Sequence, residues 1–291
     1  MAKKIVFPPD IEKEIINDYV NNSFSMQKLS NKYGYDKGVF ARILKENNIH
    51  IRDLRESHAL YYDKDYFEVI NTPEKAYWLG FIYADGCITK RNVFEIKLSI
   101  KDIDLLNQFK DDLHSEHKIG VHEMDTAYGN TEYCIFAIRS LELCNQLKNK
   151  GVCMHKTENC IFPTENILPK EFIWDFIRGF FDGDGSVYIT NDIWKYGKYQ
   201  FPSVSFTGTK EMLQYILEET QKHYDTNTIV KPYYNGKPVY DLKFGGINLV
   251  NTIYHLMYDN ATRYLSRKKE VFDKFIVNGN LETKKFHNDI A

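Results

Sequence analysis

Tyr77–Ile88 reads YWLGFIYADGCI, an apolar helix-like run that ends on an aspartate followed by glycine. Nearly the same arrangement returns at Ile177–Ser186 as IRGFFDGDGS. In the first stretch Gly80 and Ala84 stand four apart, and in the second Gly179 and Gly183 do the same. Small residues at that spacing share one helix face and let two backbones come unusually close. The two helices are therefore predicted to pack on each other.

Asp85 and Asp184 then fall in the last turn of each helix, before glycines able to take the left-handed C′ conformation. A carboxylate there opposes the helix macrodipole, by about 0.3–1 kcal/mol, and two such groups side by side repel. A cation between them offsets both effects. Oxygen-only donors, carboxylate and backbone carbonyl, favour a hard ion such as Mg²⁺. A single Asp-Gly pair after a helix is commonly a plain turn; the duplication with matched small-residue spacing is what favours a shared metal site.

The similarity extends outward. After a helix over Thr72–Asp85, Glu95–Ile100 alternates polar and apolar, as a strand with one buried face does. A helix at Asp104–Leu113, strands at His117–Met124 and Thr131–Ile138, and a helix at Leu141–Lys150 follow. The order then repeats: a helix over Lys170–Asp184, a strand from Ser186, the alternating Ser203–Thr207, and a helix at Lys210–Tyr224. Strands flanking Asn235-Gly236 and helices at Ile247–Met257 and Arg267–Ile276 complete the second copy. Gly86 and Gly185 lie 99 positions apart, a period that implies a pseudo-twofold pair of α+β units rather than a solenoid.

Before the repeats, Asp10 is a plausible N-cap for a helix bearing Ile11, Ile15, Ile16, Tyr19 and Val20. A short helix from Ser25 to Tyr33, a turn at Gly34 and a second helix from Lys37 to Asn47 follow the helix-turn-helix layout. Met26, Leu29, Phe40, Ile43 and Leu44 would form its core, leaving Lys37, Ala41, Arg42 and Lys45 outward on the second helix as candidate DNA contacts. Three segments result: 1–60, 61–165 and 166–291.

Both quoted stretches resemble the LAGLIDADG motif of homing endonucleases, and a chain with two copies resembles the monomeric members of that family. The resemblance covers roughly Thr72–Ile276. It implies an α+β fold in which two pseudo-twofold-related αββαββα repeats form a DNA-binding saddle, the motif helices making the interface. It also implies a site-specific endonuclease that cuts both strands of duplex DNA, leaving short 3′ overhangs. By position, Asp85 and Asp184 would hold Mg²⁺ or Mn²⁺ with help from the carbonyls of Ala84 and Gly183. Some members have a basic residue near the active site in the segment closing each repeat, and Lys156 and Lys268 resemble it in position, which implies a catalytic role for both. Tyr83 departs from the motif, standing where an acid is frequent; Asp182 fills that place in the second copy. Similar repeats serve transcriptional regulators and intron RNA maturases, so intron RNA is a second candidate partner, but regulators typically lose the two acids that are present here.

By alternation, the polar sheet faces would carry Glu95, Lys97 and Ser99 in one repeat and Ser203, Ser205, Thr207, Asp241 and Lys243 in the other. The lysines suit phosphates or guanine edges. Net charge, −2 overall and +2, −5 and +1 over the three segments, neither announces nor excludes a polyanion. No apolar run is long enough to cross a bilayer, and the beginning of the chain lacks the apolar centre of a secretion signal. Five cysteines without a CxxC pair point to reduced thiols and a cytoplasmic protein, and Cys153, His155 and Cys160 match no zinc spacing. With both repeats in one chain, the expected state is a monomer.

Overall fold

The computed structural model describes residues 5–21, 24–51, 60–126, 129–152, 160–194, 197–233 and 238–276. The chain divides into two compact units, Met1–Leu60 and Tyr61–Ala291. The two repeats do not separate from each other, for a reason that lies in their motif helices.

The first unit contains α1 (Pro9–Val20), α2 (Met26–Tyr33) and α3 (Lys37–Glu46). Pro8, not Asp10, is the N-cap of α1; Pro9 occupies the first turn, where its missing N–H costs nothing, and Asp10 lies beside it near the positive end of the helix dipole. The Ser25 hydroxyl accepts from the Lys28 N–H to open α2, Gly34 closes it at φ +75°, and the Asp36 carboxylate accepts from the Gly38 N–H to open α3. Ile15, Tyr19, Leu29, Phe40, Ile43 and Leu44 are buried together, with Met26 only half-buried against them. The buried Asp18 ties α1 to α2 by accepting from Lys32 Nζ at 2.7 Å and the Tyr33 hydroxyl at 2.8 Å.

In the second unit the first repeat runs α4 (Pro73–Asp85), β1 (Gly86–Ile88), β2 (Val93–Ser99), α5 (Ile103–Asp112), β3 (Gly120–Thr126), β4 (Gly129–Arg139) and α6 (Leu141–Asn149). The second runs α7 (Ile173–Asp184), β5 (Gly185–Trp194), β6 (Gly197–Gly208), α8 (Lys210–Gln221), β7 (Lys231–Pro232), β8 (Tyr240–Gly245) and α9 (Ile247–Tyr258), and α10 (Ser266–Ile276) follows. Each is the αββαββα order. The two antiparallel sheets match strand for strand, β1-β2-β4-β3 and β5-β6-β8-β7. The Asn235-Gly236 turn lies outside the described residues.

Alternation decides which face of each sheet is covered. Phe94, Ile96 and Leu98 of β2 and Cys134, Phe136 and Ile138 of β4 point inward, where Phe109 of α5 meets the Phe94 and Phe136 rings edge-on. Val204, Phe206, Leu242 and Phe244 play the same part in the second sheet. Each fully buried side chain of this size stabilises the fold by about 1.5–3 kcal/mol.

The starts of the motif helices differ. Thr72 caps α4, its hydroxyl accepting from the Lys75 N–H with Pro73 behind it. The helix expected from Lys170 begins instead with a 3₁₀ turn, Lys170–Phe172, before α7. In α4 every residue from Ala76 to Tyr83 is buried, because this helix is enclosed on all sides by the sheets and by α7. Polar ties across the repeats surround the pair: Arg263 donates two 2.7 Å bonds to Asp112, which also accepts from the Trp78 indole. Among the described residues no helix is long and apolar enough to cross a membrane.

Candidate active site

The two motif helices meet through glycine. A Cβ on Gly80 would stand 2.0 Å from the Phe176 carbonyl oxygen, and one on Gly179 would stand 2.0 Å from the Tyr77 carbonyl oxygen. These contacts are mates, since Gly80 and Gly179, like Tyr77 and Phe176, are 99 positions apart. The helices cross backbone to backbone about a local twofold. At the next turn the symmetry breaks: Ala84 of α4 faces Gly183 of α7, where a Cβ would stand 2.2 Å from the Ala84 methyl. Only one methyl fits between the two helices there.

The same turn brings the acids together. Asp85 and Asp184 are the final residues of α4 and α7. The Asp85 carboxylate lies along the last turn of α7, its Oδ2 3.3 Å from where a Gly183 Cβ would be. Asp85 is half-buried and Asp184 exposed. Asp184 lines a cleft of about 260 Å³ with Tyr83, Ala84, Thr207 and others. The glycines that follow are not left-handed: Gly86 has φ −70° and Gly185 φ −101°, both extended and already in the first strand of their sheets. Glycine is needed there for space. A Cβ would meet Ile82 Cγ2 at 2.7 Å in one copy and Phe181 Cδ2 at 2.2 Å in the other.

Lys268 has a different setting from the one its place at the end of the repeat suggests. It is 7% exposed, and its ammonium donates to the carbonyls of Phe181, Asp182 and Gly185 at 2.7, 2.7 and 2.6 Å and reaches Gly183 at 3.5 Å. Phe181 also accepts from the Gly185 N–H that closes the helix, and Gly185 itself already lies in β5; by adding a donor to the carbonyls of this turn the lysine is a side-chain cap on the negative end of α7. Burial pushes it down to about 8, against the pull of Asp182, Asp85 and Asp184. Lys156 lies outside the described residues.

Asp182 is fully buried, and burial pushes its carboxyl up to about 6 although Lys268, the Tyr77 hydroxyl and the Leu265 N–H favour its charged form. Its Oδ2 accepts from Tyr77 at 2.8 Å and Leu265 at 2.7 Å, whereas its Oδ1 has no hydrogen-bond partner among the described residues. Tyr83, its counterpart, donates to the Lys150 carbonyl at 2.6 Å. Both residues of this motif position thus anchor the segment following the last sheet-packing helix of their own repeat. The departure from an acid at Tyr83 exchanges one tether for another and leaves the Asp85 position intact.

The outward sheet faces complete the site. Lys97 and Ser99 are exposed on β2, Lys243 is exposed on β8, and Ser205 and Thr207 are half-buried on β6. Ser203 differs from the expectation: it is 0% exposed, its hydroxyl bonded to that of Thr190 at 2.5 Å. The Phe201 ring and the Ser203 hydroxyl both border Gly245, 2.9 and 3.5 Å from where its Cβ would be. Two tyrosines that alternation alone did not single out share these faces. Lys97 Nζ stands 3.7 Å from the centre of the Tyr133 ring, and Lys243 Nζ 5.1 Å from that of Tyr188. In the first unit Lys37 and Lys45 are exposed, but Arg42, expected outward, donates to the Ile5 carbonyl and lies 3.9 Å from Glu46.

No protein-family model and no curated protein matches the chain. Solved structures do. The I-LtrWI LAGLIDADG homing endonuclease bound to target DNA superposes with a TM-score of 0.50 at 13% identity, over 76% of this chain and 92% of that one. The LAGLIDADG homing endonuclease I-GzeII in complex with its DNA target gives 0.49 at 14% identity, over 75% and 95%. With two matched αββαββα repeats meeting on glycine-lined helices, the chain has the fold of the LAGLIDADG homing endonucleases.

Proposed function

We propose that the protein is a DNA endonuclease that cuts both strands of a specific duplex site with divalent metal ions. The observation that carries this reading is the convergence of Asp85 and Asp184, one from each repeat, at helix ends packed so closely that only the Ala84 methyl fits between them. Helix geometry already makes this location negative, and two carboxylates add to it. Asp85, Asp184 and the carbonyls of Ala84 and Gly183 are hard oxygen donors suited to Mg²⁺ or Mn²⁺. Bound there, the ions would activate water and offset charge on the phosphate and on the leaving 3′ oxygen.

The chain's own residues do the rest. Lys268 holds the last turn of α7 by its carbonyls and so orients Asp184. The sheet faces bind and place the duplex through Lys97, Ser99, Ser205, Thr207 and Lys243, and a twofold pair of acids has access to both strands across one groove. The first unit, through Lys37 and Lys45 of α3, acts as a second DNA contact of helix-turn-helix type that raises the effective concentration of the nuclease at its site. The protein works as a monomer because both acids come from one chain.

The test is cleavage of a duplex DNA library with Mg²⁺ or Mn²⁺ by the intact chain and by Asp85→Asn and Asp184→Asn. Sequence-limited double-strand cuts, lost in both variants while DNA is still bound, are expected. Tight binding by the intact chain without metal-dependent cutting would overturn the nuclease and leave a regulator or RNA maturase.

A further inference from the structure

Each sheet carries the same short pattern on its outward face: an acid, an inward apolar residue and a lysine, Glu95-Ile96-Lys97 on β2 and Asp241-Leu242-Lys243 on β8. Ile96 and Leu242 are fully buried, so acid and lysine stand side by side on the opposite face. In both repeats the lysine ammonium lies over a tyrosine from another strand, Tyr133 of β4 or Tyr188 of β5. An aromatic face steadies an ammonium without consuming its N–H donors.

A lysine that bound phosphate would be poorly served by a carboxylate two residues away on the same face. A G·C pair, by contrast, presents both partners at once in the major groove, the guanine O6 and N7 acceptors for lysine and the cytosine N4 amino group for an acid. Resting on the endonuclease reading, we propose that Glu95–Lys97 and Asp241–Lys243 are the G·C-reading elements of the two halves of the DNA interface. Tyr133 and Tyr188 are the residues that position the lysines.

The register adds an asymmetry. Gly86 pairs with Ile96 and Gly185 with Phe206, which makes Lys97 equivalent to Thr207 and Glu95 to Ser205. Asp241 lies opposite Thr207 and Lys243 opposite Ser205, whereas Ile135 lies opposite Lys97 and Ala137 opposite Glu95. The two elements therefore occupy the same two rows of their sheets, but on different strands and with acid and lysine exchanged. Lys97 lies in the row nearer the end of its motif helix, and Lys243 in the row beyond. The two guanines read should accordingly differ in their distance from the cut.

The test is selection of bound duplexes from a fully randomised DNA library, by the intact chain and by Lys97→Met, Lys243→Met, Tyr133→Leu and Tyr133→Phe. The intact chain should fix a G·C pair in each half. Lys97→Met should lose about tenfold or more of the preference at one position in one half only, and Lys243→Met the same in the other half. Tyr133→Leu should lose about three- to fivefold at the Lys97 position, and Tyr133→Phe, which keeps the ring, should retain it. Equal weakening on all sequences, with a salt slope smaller by about one per lysine, would make these residues phosphate contacts and overturn the proposal while leaving the nuclease reading in place. Failure of the intact chain to enrich any sequence would overturn both.

Discussion

Moving one methyl group across the local twofold tests how the two repeats are joined. In Gly183→Ala the new carbon would stand 2.2 Å from the Ala84 methyl, where 3.5–4.0 Å is the ordinary contact distance. The helices would have to part by more than about 1 Å at their carboxylate ends. Overpacking of this kind costs about 3 kcal/mol, against about 1 kcal/mol gained from replacing glycine in a helix, so the net loss is about 2 kcal/mol. Ala84→Gly alone costs about 1–2 kcal/mol from helix propensity and the missing methyl. In the double variant the methyl sits on α7 and faces hydrogen on α4. The clash vanishes and the propensity terms cancel, so stability should return to within about 0.5 kcal/mol of the parent, a coupling of about 3 kcal/mol. Urea unfolding followed by tryptophan fluorescence measures this well, because Trp78, Trp174 and Trp194 all lie in the second unit. Metal-dependent cleavage should fall in Gly183→Ala, since the Asp85 carboxylate lies against the same turn, and recover in the double variant. Additive single effects would refute backbone-to-backbone packing at this turn.

Further outcomes follow from the buried polar groups. Lys268→Met removes the ammonium from the carbonyls of Phe181, Asp182 and Gly185, of which Phe181 keeps the Gly185 N–H, and should lower stability by about 2–3 kcal/mol with or without metal; a fully stable but inactive variant would show instead that the lysine acts on the DNA. Asp182, whose folded value of about 6 exceeds its ordinary 3.8, loses its proton in the unfolded chain first. Its contribution to stability therefore falls as pH rises from about 4 to 6, by roughly 3 kcal/mol, and is level above. Urea midpoints of metal-free parent and Asp182→Asn measured across that range should converge toward pH 4, and a constant difference would count against the assignment. Asp18→Ala removes the acceptor of Tyr33 and one of the two acceptors of Lys32, which keeps Glu14, and should cost the first unit about 2 kcal/mol, read by amide hydrogen exchange over α1–α3 in the full chain.

Much of the architecture could be read from local pattern. Strand alternation at Glu95–Ile100 and Ser203–Thr207, and matched small residues in two apolar runs, identify the repeats and their inward faces because periodicity is set by backbone geometry alone. Other features depended on partners remote in sequence. Ser203 has the right parity for an outward face, yet it is fully buried, its hydroxyl bonded to that of Thr190 and bordering Gly245 of the neighbouring strand. Arg42 points from the expected helix face but is drawn to the Ile5 carbonyl. Lys268 stands where a catalytic base could stand and is instead enclosed among the carbonyls at the end of α7.

The amino-acid sequence by itself determined the two-repeat layout, the glycine-faced helices and the pair of acids at their ends, since each follows from residue type at fixed spacing. Tertiary structure alone decided why Gly86 and Gly185 must be glycine, which hydroxyls and lysines remain available on the sheets, and which charges are spent inside the protein. Those outcomes are set by excluded volume and desolvation between segments that meet only when the two repeats close on each other.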